Sequence, residues 1–330
     1  MSKADGKEEC DSRERHAALA GPRSRRRRAL LAAGALTALL GGCATGRSGD
    51  ADGLAQGVVW QPDADHLDPR GDWQRLGVSD LLVQWTAVDG TAYLPGADGT
   101  GSPGSPGLSG SPGADAGAAG ALKTARRLPD WTRIANEPWA RNVIVGLAGR
   151  FDETSARSHA AQLIEQSRRL ADVRPPVRVA GYYFPVEVDP TWKDAATLGP
   201  LLGRLPRPLW ISVYDNSNIG GKALAAWLDG WLPRDVGVFL QDGCGLYTRG
   251  PAAAREYADA LAARLGENRV RIIAEAFRPA AGGAFRSASA GELAPQLHAY
   301  RGHRVYLFDG PHYVSAQLVQ ELLALEGPRS

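Results

Sequence analysis

From residue 57 onward, short apolar runs alternate with longer amphipathic stretches. Eight runs stand out: GVVWQ (57–61), DLLVQW (80–85), NVIVGLA (142–148), VRVAGYYF (177–184), PLWISVYD (208–215), DVGVFLQD (235–242), VRIIAEAF (270–277) and RVYLFDG (304–310). Most are continuously apolar, the pattern of parallel strands covered on both faces. Between them lie helical patterns with one apolar face at 152–171, 220–232, 250–266, 291–302 and 315–325. The first helix, near 68–76, is expected to be short, and the second falls somewhere within 126–140. Eight strand-then-helix units in a domain near the usual ~250 residues predict a single (β/α)8 TIM barrel of the α/β class over 57–325. A doubly wound open sheet is the rival. No glycine-rich dinucleotide loop follows the first run, so the barrel is preferred.

One stretch breaks the rhythm. GSPGSPGLSGSPGADAGAAGAL (101–122) places glycine at every third position from Gly101 to Gly113. These triplets are too few for a collagen helix and have no second copy. A low-complexity insertion over 100–122 is expected in the loop after the second strand, on the face where a barrel does its chemistry. A lid and an inert spacer are both compatible with it.

The amino-terminal segment changes how the charge is read. SRRRRALLAAGALTALLGGCATG joins a basic head to an apolar core over 29–40, too short to cross a membrane as a helix. An export signal over 1–42 is expected. Leu40-Gly41-Gly42-Cys43 resembles the bacterial lipoprotein signal, which implies cleavage before Cys43, a lipid on its sulfur and anchorage to a membrane of the cell envelope. A tether would then cover 43–56, and 326–330 would be a tail. Arg27-Arg28 also resembles a twin-arginine signal, with a general secretory signal as the alternative. The full chain has 38 Lys/Arg against 36 Asp/Glu; without residues 1–42, which hold nine and five, 29 face 31 and the net charge is −2. A chain so balanced, without basic runs, predicts no nucleic-acid partner. Of the three cysteines only Cys244 lies within the barrel, so no internal disulfide is expected and the apolar core must carry stability.

Candidate chemistry collects at the carboxyl ends of the strands, which converge on one mouth in such a barrel. They finish in Gln61, Gln84-Trp85, Tyr183 followed by Glu187, Tyr214-Asp215-Asn216, Gln241-Asp242, Glu275, and Asp309 with His312 close behind. Amides, carboxylates and aromatics in that ring suit a carbohydrate. Hydroxyls pair with amides and carboxylates, while the C–H faces of sugars pack on aromatic planes. Glycosidic cleavage needs two carboxyl groups, one protonated and one ionised. Glu187 and Glu275, three strands apart, could face each other. The remaining residues except His312, which is either a ligand or a loop residue, are expected to bind substrate, with Trp192 either stacking a sugar or covering the rim. No cofactor motif occurs, and His298 and His303 sit in a helix and its exit, so no metal is expected. Cys244 is read as a small packed thiol.

These positions resemble clan A glycoside hydrolases, which place the acid/base after the fourth strand and the nucleophile on the seventh. The stretches WQPD, LLVQWTAVDG, GYYFPVEVD, ISVYDNS, LQDGCG, IIAEAF and YLFDGPHY are similar, over about 57–325, to bacterial glycosyl-hydrolase-like barrels of the domain of unknown function 4434 family. The resemblance implies Glu187 as general acid/base and Glu275 as nucleophile. Val186 stands where the clan usually has Asn. Two function classes follow: an exported glycoside hydrolase acting on an envelope or extracellular polysaccharide, or a non-catalytic polysaccharide-binding barrel in an exopolysaccharide or envelope assembly.

Overall fold

The computed structural model describes residues 53–98 and 121–327. The export signal, Cys43 and most of the tether, of the insertion and of the tail lie outside the described residues. All eight predicted strands form: β1 Gly57–Trp60, β2 Asp80–Val83, β3 Asn142–Gly146, β4 Val179–Val188, β5 Leu209–Val213, β6 Val236–Gln241, β7 Val270–Glu275 and β8 Val305–Phe308. They pair in parallel in chain order, and β1 pairs with β8 to close the barrel. The (β/α)8 expectation holds.

Closure is sealed from inside by one residue from each strand: Val59, Leu82, Ile144, Tyr183, Trp210, Phe239, Ile273 and Tyr306. Phe239 meets Tyr306 and Tyr183 edge to face, with ring centroids 4.9 and 5.8 Å apart. Alternate strand residues face outward into a second apolar layer, which buries the inner faces of the helices. The interior is therefore packed, and the carboxyl ends of the strands open onto the mouth. Where β2 and β3 meet, Gly146 lies so close that a Cβ there would sit 2.2 Å from the Val83 carbonyl oxygen.

The helices are α1 Trp131–Ala135, α2 Glu153–Ser158, α3 Ala160–Asp172, α4 Leu198–Leu202, α5 Gly221–Asp229, α6 Pro251–Leu265, α7 Ala290–Ala299, α8 Gly310–Tyr313 and α9 Ala316–Glu326. In α3 the buried Leu163, Ile164, Ser167 and Leu170 form one stripe. A capping box of Ser289 and Glu292 starts α7, and Pro251 opens α6. The single helix expected over 152–171 is broken at His159 into α2 and α3. The first unit keeps only the 3-10 turn Trp73–Leu76. Among the described residues no helix is long and apolar enough to cross a membrane.

Two additions stand on the mouth side. Ala87–Val88, Thr91–Ala92, Lys123–Thr124 and Ala148–Gly149 form a small four-stranded sheet, two of whose strands flank the low-complexity segment in the sequence. Phe277–Pro279 and Phe285–Ser287 form a hairpin after β7.

Candidate active site

The carboxylate between two valines is explained by an irregularity near the end of β4. Phe184 pairs with Ile211, but the next paired residue is Glu187, opposite Ser212. Val186 and Val188 are fully buried in the outer apolar layer, so the residue between them turns to the other face, into the mouth. Gln241 from β6 donates through Nε2 to Glu187 Oε2 and lies 2.7 Å from Ser212 Oγ, so three adjacent strands are linked. Arg157 Nη2 lies 3.9 Å from Glu187 Oε1, and Arg157 Nε donates to the Glu187 carbonyl at 3.1 Å. Burial raises the Glu187 carboxyl above the usual range, and Gln241 and Arg157 offset part of that. The side chain retains 24 % exposure, so a ligand can reach it.

Glu275 ends β7 and is 3 % exposed. Its Oε2 accepts the Gly245 N–H at 2.6 Å. Burial, then the neighbouring Asp242, pushes this carboxyl up to about 8, and Glu187 adds to the push. Tyr214 is raised to about 12 by burial, against its hydrogen bond with Thr248, with Glu275 and Glu187 both adding. The two glutamates thus lie within electrostatic reach of each other and of one tyrosine. Gly245 is demanded by the site: a Cβ there would fall 2.7 Å from the Phe277 ring and 2.8 Å from Glu275 Oε2.

A third carboxyl joins them. Glu153 Oε1 accepts the Glu187 backbone N–H at 2.9 Å and lies 3.3 Å from Arg157 Nε. Burial and then Glu187 push it up to about 8. Glu153 and Arg157 were missed in the sequence because DETSARS read as a helix cap. The cap is Asp152, which accepts the Ser155 N–H at 2.7 Å, while the next residue faces the site.

Several expected sugar ligands are placed elsewhere. Asp215 is fully buried; its oxygens accept the N–H groups of Ser217 and Ile219 and the hydroxyls of Ser217 and Tyr257. Asp242 is fully buried too, accepting from Cys244 N, Glu275 N, Gln296 Nε2 and Tyr300 OH. With both oxygens occupied on the wall side, these two brace strand ends and leave no acceptor for a sugar. Trp85 is 3 % exposed, donates to the Pro62 carbonyl and packs with Leu67, Val88 and Tyr93, so it is not an open stacking plane. Tyr183 belongs to the interior layer. Gln84 sits at the mouth beside it, and its buried Oε1 has no protein donor among the described residues. Asn216 is exposed, with its N–H on Asp189. Cys244 is buried, its thiol pushed up to about 12 by burial, as a packed thiol should be.

Trp192 lines an open groove of about 670 Å³ with Thr154, Arg157, Lys193 and Leu201, on the Glu187 side of the mouth. Arg157 lies 5.6 Å from the centre of its ring. At the β1–β8 seam, Asp309 is fully buried, accepting the Gln61 N–H at 2.9 Å and facing His312 Nδ1 at 2.8 Å. Gln61 therefore contributes its backbone to this seam. Asp63, His66 and His312 gather there with ligand-type atoms within 4.8 Å of one another. His298 and His303 instead pair with Glu326 and Asp259.

No family model, that of the domain of unknown function 4434 family included, and no curated protein matches the chain. Among solved structures, one described as a "putative alpha-L-fucosidase" from Bacteroides thetaiotaomicron VPI-5482 is 14 % identical, with a TM-score of 0.49 over 82 % of this chain and 90 % of that one. A chitinase from Chromobacterium violaceum ATCC 12472 is 12 % identical, with a TM-score of 0.41 over 83 % and 100 %. The assignment of the chain as a (β/α)8 barrel rests on its own strand order.

Proposed function

We propose that the protein hydrolyses glycosidic bonds, with Glu187 and Glu275 as the reacting carboxyls. The observation that carries this reading is that two carboxyl groups, from the ends of β4 and β7, share one mouth and are both raised by burial. Together with Glu153 they make a cluster that does not sustain full ionisation near neutral pH, so a proton is retained for a leaving oxygen. Glu187, the more exposed, would give its proton to that oxygen as the C–O bond breaks. Glu275, in the molecules where it is the ionised member of the cluster, a fraction that grows toward about pH 8, would attack the anomeric carbon, and water would later release the sugar as Glu187 takes the proton back. Gln241 and Arg157 would hold Glu187, while Trp192 and the adjoining groove suit the rest of a glycan. Export and a lipid on Cys43, proposed from the signal-like sequence, would direct the protein to an envelope or extracellular polysaccharide.

Digestion of a glycan panel, read by mass spectrometry, tests the proposal. The parent protein should release oligosaccharides, and Glu187→Gln and Glu275→Gln should each lose at least ~100-fold in rate. An aryl glycoside, whose leaving group needs no proton, should restore turnover to the Glu187 variant and not to the Glu275 variant; the converse would exchange the roles. The deep burial of Glu275, away from the groove beside Trp192, favours a second reading, a binding module. Binding by a parent protein that cleaves no glycan would establish that reading and dismiss the first.

A further inference from the structure

We propose that Asp63, His66 and His312 bind a divalent transition-metal cation, with zinc the best match to two imidazoles and one carboxylate. The three come from opposite ends of the chain and meet because β1 closes against β8. His66 Nδ1 lies 3.0 Å from Asp63 Oδ1 and 3.2 Å from Oδ2, and His312 Nε2 lies 3.3 Å from Oδ2. A tetrahedral ion with bonds near 2 Å has ligand–ligand edges of about 3.3 Å. Two edges of such a tetrahedron are therefore already present. The imidazole rings lie 3.7 Å apart, and the side chain of His66 is 36 % exposed, which leaves it room to turn.

The hydrogen-bond pattern also asks for a positive charge. Asp309 is fully buried, and its Oδ1 accepts the His312 backbone N–H at 2.9 Å. The same oxygen faces His312 Nδ1 at 2.8 Å, which places the ring hydrogen on that nitrogen. In the neutral ring Nε2 then presents a lone pair to Asp63 Oδ2, so two acceptors confront each other. A cation between them resolves the conflict. A buried carboxylate that orients a histidine while its other nitrogen faces the ion is how proteins commonly fix a metal-binding tautomer.

The loop carrying two of the ligands is held from both sides. The buried indole of Trp60 donates to the His66 carbonyl at 2.7 Å, and that of Trp85 to the Pro62 carbonyl at 2.9 Å. Asp63 Oδ1 already accepts the N–H groups of Asp65 and His66, leaving Oδ2 for the ion. Three protein ligands would leave one position open for water or a hydroxyl-bearing ligand.

The test is metal binding by the full chain, stripped with a chelator and titrated with Zn²⁺ by calorimetry and with Co²⁺ by visible absorption. One ion per chain is expected, with a Co²⁺ spectrum of nitrogen and oxygen ligation and a Zn²⁺-dependent rise in Tm. His66→Ala and His312→Ala should each abolish saturable binding. Asp309→Asn, which keeps every ligand, should weaken it ~10–100-fold. His298→Ala, remote from the seam, should bind like the parent. Circular dichroism distinguishes a lost site from a lost fold; should a ligand variant fail to fold, the parent's stoichiometry and Co²⁺ spectrum decide. Absence of saturable binding in the parent, or binding unchanged in folded His66 and His312 variants, would overturn the proposal and leave His312 as an imidazolium between two carboxylates.

Discussion

Glu275 illustrates what a buried carboxyl does to a barrel as well as to a substrate. An unfolded chain releases this proton near the ordinary value of 4.5, whereas the folded chain keeps it until about 8. Between those values the folded state binds more protons, so its stability falls as pH rises. The contribution is complete below about 4.5 and is lost as pH climbs through about 8. It amounts to a few kcal/mol in order of magnitude. Urea denaturation from about pH 5 to about pH 9 should therefore show a declining midpoint. Glu275→Gln, neutral throughout, should make the slope shallower, with Glu153 and Glu187 keeping part of it, and exceed the parent in stability at the alkaline end. An unchanged slope would mean that Glu275 titrates normally. The same scale shows why only part of the site was legible. On paper Asp215, Asp242 and Asp309 look like Glu187 and Glu275, polar residues closing apolar runs. Their occupancy is decided by Tyr257, Gln296, Tyr300 and the Gln61 N–H, which spacing along the chain does not bring to them.

Among elements, the strands were readable because burial on both faces leaves a continuous apolar run. The helices were readable only where one face is long enough to show a stripe. The fourth unit, a 3-10 turn at Ala195–Thr197 running into α4, has no such stripe, and the two-residue strands around the insertion are too short for any period. Loops carry the finer geometry. In Gly245→Ala the new methyl meets the Phe277 ring and Glu275 Oε2, so the loop after β6 must shift and the N–H it lends to Glu275 is lost. We expect a loss of ~1–3 kcal/mol in chemical denaturation. Full stability would show that the loop has slack. In α7, by contrast, Gly291 has no atom within 4 Å of an added Cβ. Gly291→Ala should raise stability by ~0.5–1 kcal/mol through a stiffer unfolded chain and better helix propensity.

For the whole molecule, closure is the decisive event. Parallel order, the interior layer of one residue per strand and the β1–β8 pairing all depend on every strand reaching its neighbour. Gly146→Ala sets a methyl 2.2 Å from the backbone of β2, which no rotamer change relieves. We expect a loss of ~3 kcal/mol or more, seen as a collapse in soluble yield and in far-UV circular dichroism. A folded, soluble variant would show that the β2–β3 seam can widen. The (β/α)8 barrel was legible from rhythm alone, whereas the meeting of Asp63 with His312 was not, because it is created by closure itself.

That closure also gives the molecule a direction. Strand β1 starts at the base of the barrel, where Gln56 N–H donates to the Val305 carbonyl and Leu54 N–H to that of Leu76. Gly53, the first described residue, therefore lies at the end opposite the carboxyl cluster. Cys43 precedes Gly53 by ten residues, a reach of roughly 35 Å at most. Were a lipid carried there, as proposed, it would be joined to the barrel through its floor. The opening would then lie on the side of the barrel away from that attachment, where a polymer could enter it unhindered by the anchor.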